Sequence, residues 1–123
     1  PVIAPVLTQP SLPFGPLPGM MSALHISDTE KQAVHDKINT QNAKILGLRF
    51  EGDFFCTKKR FDALREEFGA VFEGIEIPAE HARKGTGTPP HSVLTTHLID
   101  EDGEPTREAL DRTLAFLKAQ LLP

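Results

Sequence analysis

Short continuous apolar runs and longer amphipathic stretches take turns along this chain. They predict the order strand, helix, strand, helix, strand, helix. Val2-Ile3-Ala4-Pro5-Val6-Leu7-Thr8 is the first strand-like run. Pro5 removes one ladder donor from it, which suits an edge strand or a strand end. Pro10, Pro13, Pro16 and Pro18 then predict an irregular surface loop over 9–21. Ser27-Asp28-Thr29-Glu30 reads as a capping box, the Ser27 hydroxyl accepting from the Glu30 N–H while Glu30 reaches back to the Ser27 N–H. The helix it opens runs to about Asn42 and is expected to turn Ala33, Val34 and Ile38 toward the core.

Lys44 to Phe50 (KILGLRF) is short, apolar and followed by a polar turn, which predicts a buried strand. Thr57 is placed to cap a helix that ends near Gly69, with Phe61, Leu64 and Phe68 along one stripe. Val71 to Ile77 is the third strand, with Val71, Glu73, Ile75 and Ile77 on one face. A Gly- and Pro-rich loop covers 78–90. The last helix spans about 106–121, with Pro105 beside its start, and its core face is expected at Leu110, Leu114, Leu117 and Leu121.

Strands separated by helices at these lengths make the fold class α/β, a three-stranded parallel sheet with flanking helices joined by right-handed crossovers. A parallel sheet normally has both faces covered, and three strands are few for that architecture. At 123 residues the chain is at most one domain. The net charge of −4 gives no electrostatic reason to expect nucleic acid or an anionic membrane as partner. Cys56 is the sole cysteine, which excludes an internal disulfide and makes a reducing, cytoplasmic setting the expectation. No apolar run approaches the roughly 20 residues of a membrane-spanning helix. The chain begins without Met, in strand-like sequence, which hints at a fragment or a processed product.

Parallel α/β sheets carry their reactive groups in loops at the C-terminal strand ends. Two titratable residues sit in such loops: Asp53, three residues past Phe50, and His91, beyond the third strand. A buried carboxylate accepting from one imidazole nitrogen fixes the ring's tautomer and stabilises the imidazolium formed when the other nitrogen takes a proton. Neighbouring parallel strands lie about 5 Å apart, so loops from two adjacent strand ends are able to meet.

Ile45-Leu46-Gly47-Leu48-Arg49-Phe50-Glu51-Gly52-Asp53, with Arg60-Phe61 and Leu64-Arg65 after it, resembles the acid-bearing segment of the dienelactone hydrolase family. His91-Ser92-Val93-Leu94-Thr95 and Pro105-Thr106-Arg107-Glu108-Ala109-Leu110 resemble that family's histidine loop and final helix, and Gln9-Pro10-Ser11-Leu12-Pro13 its segment after the sixth strand. The resemblance implies the C-terminal half of an α/β-hydrolase fold, its three strands being the sixth to eighth. Nucleophile, acid and histidine follow one another along such chains, and Asp53 before His91 keeps the last two steps. It further implies a carboxylic-ester or lactone hydrolase of the complete protein, with Asp53 as catalytic acid and His91 as catalytic base. A small ester or lactone would be the substrate and no cofactor is needed. The G-x-C-x-G or G-x-S-x-G nucleophile elbow of that family is absent, so the 123 residues alone are expected to be inactive.

Each of these residues also has a plainer reading. An Asp after a strand is commonly a turn residue, and a loop histidine is commonly solvated. His97 is the main competitor to His91. Cys56 reads either as a helix N-terminal thiolate or as a partly buried small residue, and the second is preferred. The five His and Cys56 have no zinc-ligand spacing. Arg83-Lys84-Gly85-Thr86-Gly87-Thr88 lacks the context of a phosphate loop and reads as a flexible lid. Pro10-x-x-Pro13 is a weak ligand pattern for an SH3-type domain. The alternative to an enzyme is a non-catalytic half-domain that pairs with itself, with the upstream half of the domain or with another chain. It would do so through its exposed first strand, with no nucleic acid and no membrane involved.

Overall fold

The computed structural model describes residues 4–10, 24 and 26–122. Most of the Pro-rich loop over 9–21, with the second proline of Pro10-x-x-Pro13, lies outside them, as does His25. Within the described residues the elements are β1 (Val6–Thr8), α1 (Asp28–Gln41), β2 (Ile45–Phe50), α2 (Lys58–Phe68), β3 (Phe72–Ile77) and α3 (Pro105–Leu121). The strands form one parallel sheet in the order β1-β2-β3. Val6 is level with Leu46, and Ile45 with Phe72.

Local sequence accounts for the helix ends. The capping box at Ser27 closes in both directions, Glu30 N–H donating to the Ser27 hydroxyl at 3.2 Å and Ser27 N–H to the Glu30 carboxylate at 2.7 Å. Asn42 ends α1 in the left-handed region, φ 49°, with its N–H on the Ile38 carbonyl. Pro105 takes the first turn of α3, where its missing N–H costs nothing. Thr57 stands at the N-cap of α2 without a side-chain capping bond.

Every residue of β2 is buried, and its alternation feeds two cores. Ile45 joins Phe61, Leu64, Phe68 and Phe72 on the face covered by α1 and α2. Leu46, Leu48 and Phe50 join Ile77, Ala109 and Phe116 on the face covered by α3. Gly47 and Gly74 are level with each other in β2 and β3. A Cβ on Gly47 would lie 2.8 Å from the Phe72 ring, and one on Gly74 would lie 2.9 Å from the Arg65 guanidinium. The two glycines make the floor on which Phe61 and Phe72 meet edge to face, 5.5 Å apart. Beside them Arg49 and Arg65 both pair with Glu76 and stack on Phe61.

Two helix-face expectations are corrected. Ala33 is exposed, and only Ile38 of α1 is fully buried. In α3 the buried residues are Thr106, Ala109, Thr113 and Phe116 rather than the leucines. Three of these four side chains are small. Their hydroxyls are satisfied locally, Thr106 Oγ1 by the Ile99 N–H at 2.9 Å and Thr113 Oγ1 by the Ala109 carbonyl at 2.8 Å. Leu114 and Leu121 are left 50% and 47% exposed, with Leu110 and Leu117 half-buried beside them.

The direction of this leucine flank follows from helix geometry. At 100° per residue it is turned about 90° from the buried stripe. Arg112 projects from the opposite flank and its Nε donates to Glu73 of β3 at 2.7 Å. The leucines therefore face the β1 side of the molecule, where Leu117 packs against the cluster that Val6 also touches. α3 packs on β2 and β3. Among the described residues one sheet face thus carries two helices and the other carries one, with its β1 side beside the exposed leucines.

Candidate functional site

The turn that ends β2 sets Asp53. Gly52 adopts φ 78°, a conformation glycine enters at little cost. Asp53 Oδ1 accepts from the backbone N–H of Phe55 at 2.9 Å and of Cys56 at 3.3 Å. Two buried arginines hold the same turn from behind. Arg49 Nε donates to the Cys56 carbonyl at 2.8 Å, and Arg60 Nη1 to the Phe55 carbonyl at 3.2 Å. The Asp53 side chain is only 2% exposed, and these donors supply what a buried carboxylate requires.

Its second oxygen meets His91. Asp53 Oδ2 lies 2.6 Å from His91 Nδ1, so the loops after β2 and β3 do come together. A carboxylate only accepts, which places the ring proton on Nδ1 and leaves Nε2 as the acceptor nitrogen of the neutral ring. That ring remains 28% exposed. Phe55 stands edge-on to it at 5.7 Å, and Phe54 and Phe55 are themselves exposed. A cavity of about 150 Å³ opens here, lined by Asp53, Phe55, Ala79, Pro90 and His91 among others.

The other sequence candidates fall elsewhere. His97 is buried and hydrogen-bonds the 86–92 loop. His35 pairs with Glu67 at 3.1 Å, and His81 lies 3.8 Å from Glu80. Cys56 is fully buried, and burial together with the Asp53 charge pushes its thiol up to about 12. The preferred reading of Cys56 as a buried small residue agrees with these surroundings, which disfavour the reactive thiolate. Thr86, in the expected lid, is tied by its hydroxyl to His97 Nε2 at 3.0 Å. Among the described residues no grouping of His, Cys, Asp and Glu is able to hold a metal ion.

Sequence reasoning assigned no role to Arg49, Arg60 or Glu76, and weighed His97 only as a competitor to His91. One signal was available: an arginine at an inward position of an apolar strand needs a carboxylate, and Glu76 is level with Arg49 on β3. The Arg60 and His97 contacts run between side chain and loop backbone. Such contacts leave no periodic trace.

No family model matches the chain, and no solved structure matches it significantly. Among curated proteins it is similar to the Sec-independent protein translocase protein TatB of Mycobacterium avium, 35% identical over 60 residues, which are 49% of this chain and 46% of that protein. It is likewise similar to TatB of Mycolicibacterium paratuberculosis, 35% identical over 57 residues, 46% of this chain and 44% of that protein. The chain spans somewhat under half the length of these curated relatives.

This likeness corrects the dienelactone hydrolase resemblance and the activity it implied. The matched proteins are named for protein translocation, which overturns the ester or lactone hydrolase, its small-ester substrate, and the cytoplasmic setting without a membrane partner. Among the described residues no hydroxyl or thiol hydrogen-bonds His91 Nε2, and the Cys56 thiol is held neutral. Among the same residues no helix is long and apolar enough to cross a membrane.

Proposed function

We propose that this chain is a non-catalytic assembly component of the Sec-independent protein translocase kind, binding a partner polypeptide along its β1 edge and the leucine flank of α3. The observation that carries the reading is the coincidence, on one side of the molecule, of two surfaces that the described residues leave unfilled. Pro5 and Gln9 use their carbonyl and amide on β2, with Leu46 N–H donating to Pro5 at 3.1 Å and Gln9 N–H donating to Leu48 at 2.8 Å. The alternation of a parallel ladder then directs the amides and carbonyls of Val6 and Thr8 to the open edge. An edge of this kind is a template for another strand.

Beside it lie Leu114 and Leu121, each about half exposed. Helices pack about 8–10 Å apart and strands pair at about 4.8 Å, so one helix covers two strands. A strand added at β1, with a helix laid against the α3 leucines, would complete both layers. The likeness to protein translocase components supports an assembly role over an enzymatic one.

The test is binding to a purified Sec-independent protein translocase, with the wild-type chain and with a Leu114→Lys, Leu121→Lys double variant. Burial of the two half-exposed leucines is worth about 1 kcal/mol each, so the double variant is expected to bind at least about tenfold more weakly. Equal binding by both, or no binding by the wild type, overturns the reading.

A specific observation favours a second role, for Asp53 and His91 as a proton-exchanging acid–base pair. The 2.6 Å contact and the half-open ring present a tautomer-fixed Nε2 to whatever binds the cavity. Asp53→Asn tests it. The far-downfield proton resonance expected of the His91 Nδ1–H should disappear in that variant, and its persistence there would refute the pairing.

A further inference from the structure

His97 is 2% exposed and saturated with hydrogen bonds. Its Nδ1 accepts from two consecutive backbone amides, Ser92 N–H at 3.0 Å and His91 N–H at 3.3 Å. Its Nε2 lies 3.0 Å from the Thr86 hydroxyl, 3.3 Å from that of Thr88 and 3.3 Å from the Thr88 carbonyl. A nitrogen that accepts from two amides carries no proton, so the ring is neutral with its hydrogen on Nε2. A carbonyl only accepts, and the Thr88 carbonyl beside Nε2 agrees with that assignment.

The backbone of His97 is tied to the same segment, its N–H donating to the Ser92 carbonyl at 3.0 Å and its carbonyl accepting from Arg83 N–H at 2.9 Å. Phe50 closes the far side, its ring edge-on to the imidazole 6.1 Å away. One side chain therefore joins both ends of a stretch that has left-handed glycines at 85 and 87 and two prolines at 89 and 90. That stretch has no regular hydrogen-bond ladder of its own.

We infer that His97 is a positioning residue, and that by holding the amides of His91 and Ser92 it aims the His91 ring at Asp53. The inference rests on the acid–base pair proposed above, since aiming has meaning only if that contact forms. The relevant feature of His97 is an acceptor at Nδ1, not volume. Asparagine offers an oxygen near that place, whereas leucine fills the space and accepts nothing.

Nuclear magnetic resonance on the full chain separates these possibilities. In the wild type, the nitrogen shifts of His97 are expected to report the neutral Nε2–H tautomer, and His91 Nδ1–H is expected far downfield. His97→Leu should lose the His91 signal while the amides of β2 keep their folded dispersion, and His97→Asn should retain it. A His97 ring that is an imidazolium or the Nδ1–H tautomer at neutral pH overturns the inference without recourse to any variant. So does a folded His97→Leu that keeps the signal. Absence of the His91 signal from the wild type overturns the pair and the aiming role together, whereas its presence with the wrong His97 tautomer overturns the aiming role alone.

Discussion

At the scale of residues, the groups that depart most from ordinary behaviour surround the 50–56 turn. Cys56 is neutral when folded because burial pushes its thiol up to about 12 from an ordinary value near 9. In the unfolded chain the thiol loses its proton through the ordinary range, so between roughly pH 9 and pH 12 the folded state binds more protons than the unfolded one. Stability from this group is complete below pH 9 and is lost as pH rises toward 12. Thiol-alkylation kinetics check the same environment: Cys56 should react far more slowly in the native protein at pH 8 than after denaturation. Glu76 supplies the counter-charge to the buried Arg49 and to Arg65. Glu76→Gln strands the buried guanidinium, and urea denaturation should register a loss of about 3 kcal/mol. The meeting of Asp53 with His91 was legible because both follow strand ends in a parallel order. The hold exerted by Arg60 and His97 on loop backbone was not, because such contacts depend on where loops fold.

At the scale of elements, local chemistry spoke most clearly where it is self-contained. The capping box at Ser27 was readable because both of its bonds lie within four residues. Ser27→Ala should cost about 1 kcal/mol in thermal or chemical denaturation. β2 was readable as a buried strand from its short apolar run. The third helix shows the limit of periodicity. Leu110, Leu114, Leu117 and Leu121 form the more apolar stripe, yet the sheet takes Thr106, Ala109, Thr113 and Phe116. Periodicity identifies an apolar stripe but not which neighbour it meets. On the opposite sheet face the glycines of β2 and β3 make room for the Phe61 and Phe72 rings. Gly47→Ala places a Cβ 2.8 Å from the Phe72 ring, and overpacking of that kind should cost about 1–3 kcal/mol in urea denaturation.

At the scale of the whole molecule, the sheet is served unevenly. Among the described residues α1 and α2 cover one face, whereas α3 covers the other together with Ala82 and Val93 of the loop after β3, and turns a row of leucines toward the β1 side. A layer and a strand edge that the described residues leave incomplete fit the proposed chain that binds a partner. The TatB proteins it is similar to are named for protein translocation, and that is the context we propose for the partner. Amide hydrogen exchange of the chain, free and mixed with a purified Sec-independent protein translocase, tests this directly. The account predicts that Val6 and Thr8 exchange fast in the free chain while Gln9, bonded to Leu48, is slow. On binding, Val6, Thr8 and the 110–121 stretch should gain protection together. Protection confined to the 51–91 loops, or none at all, would contradict it.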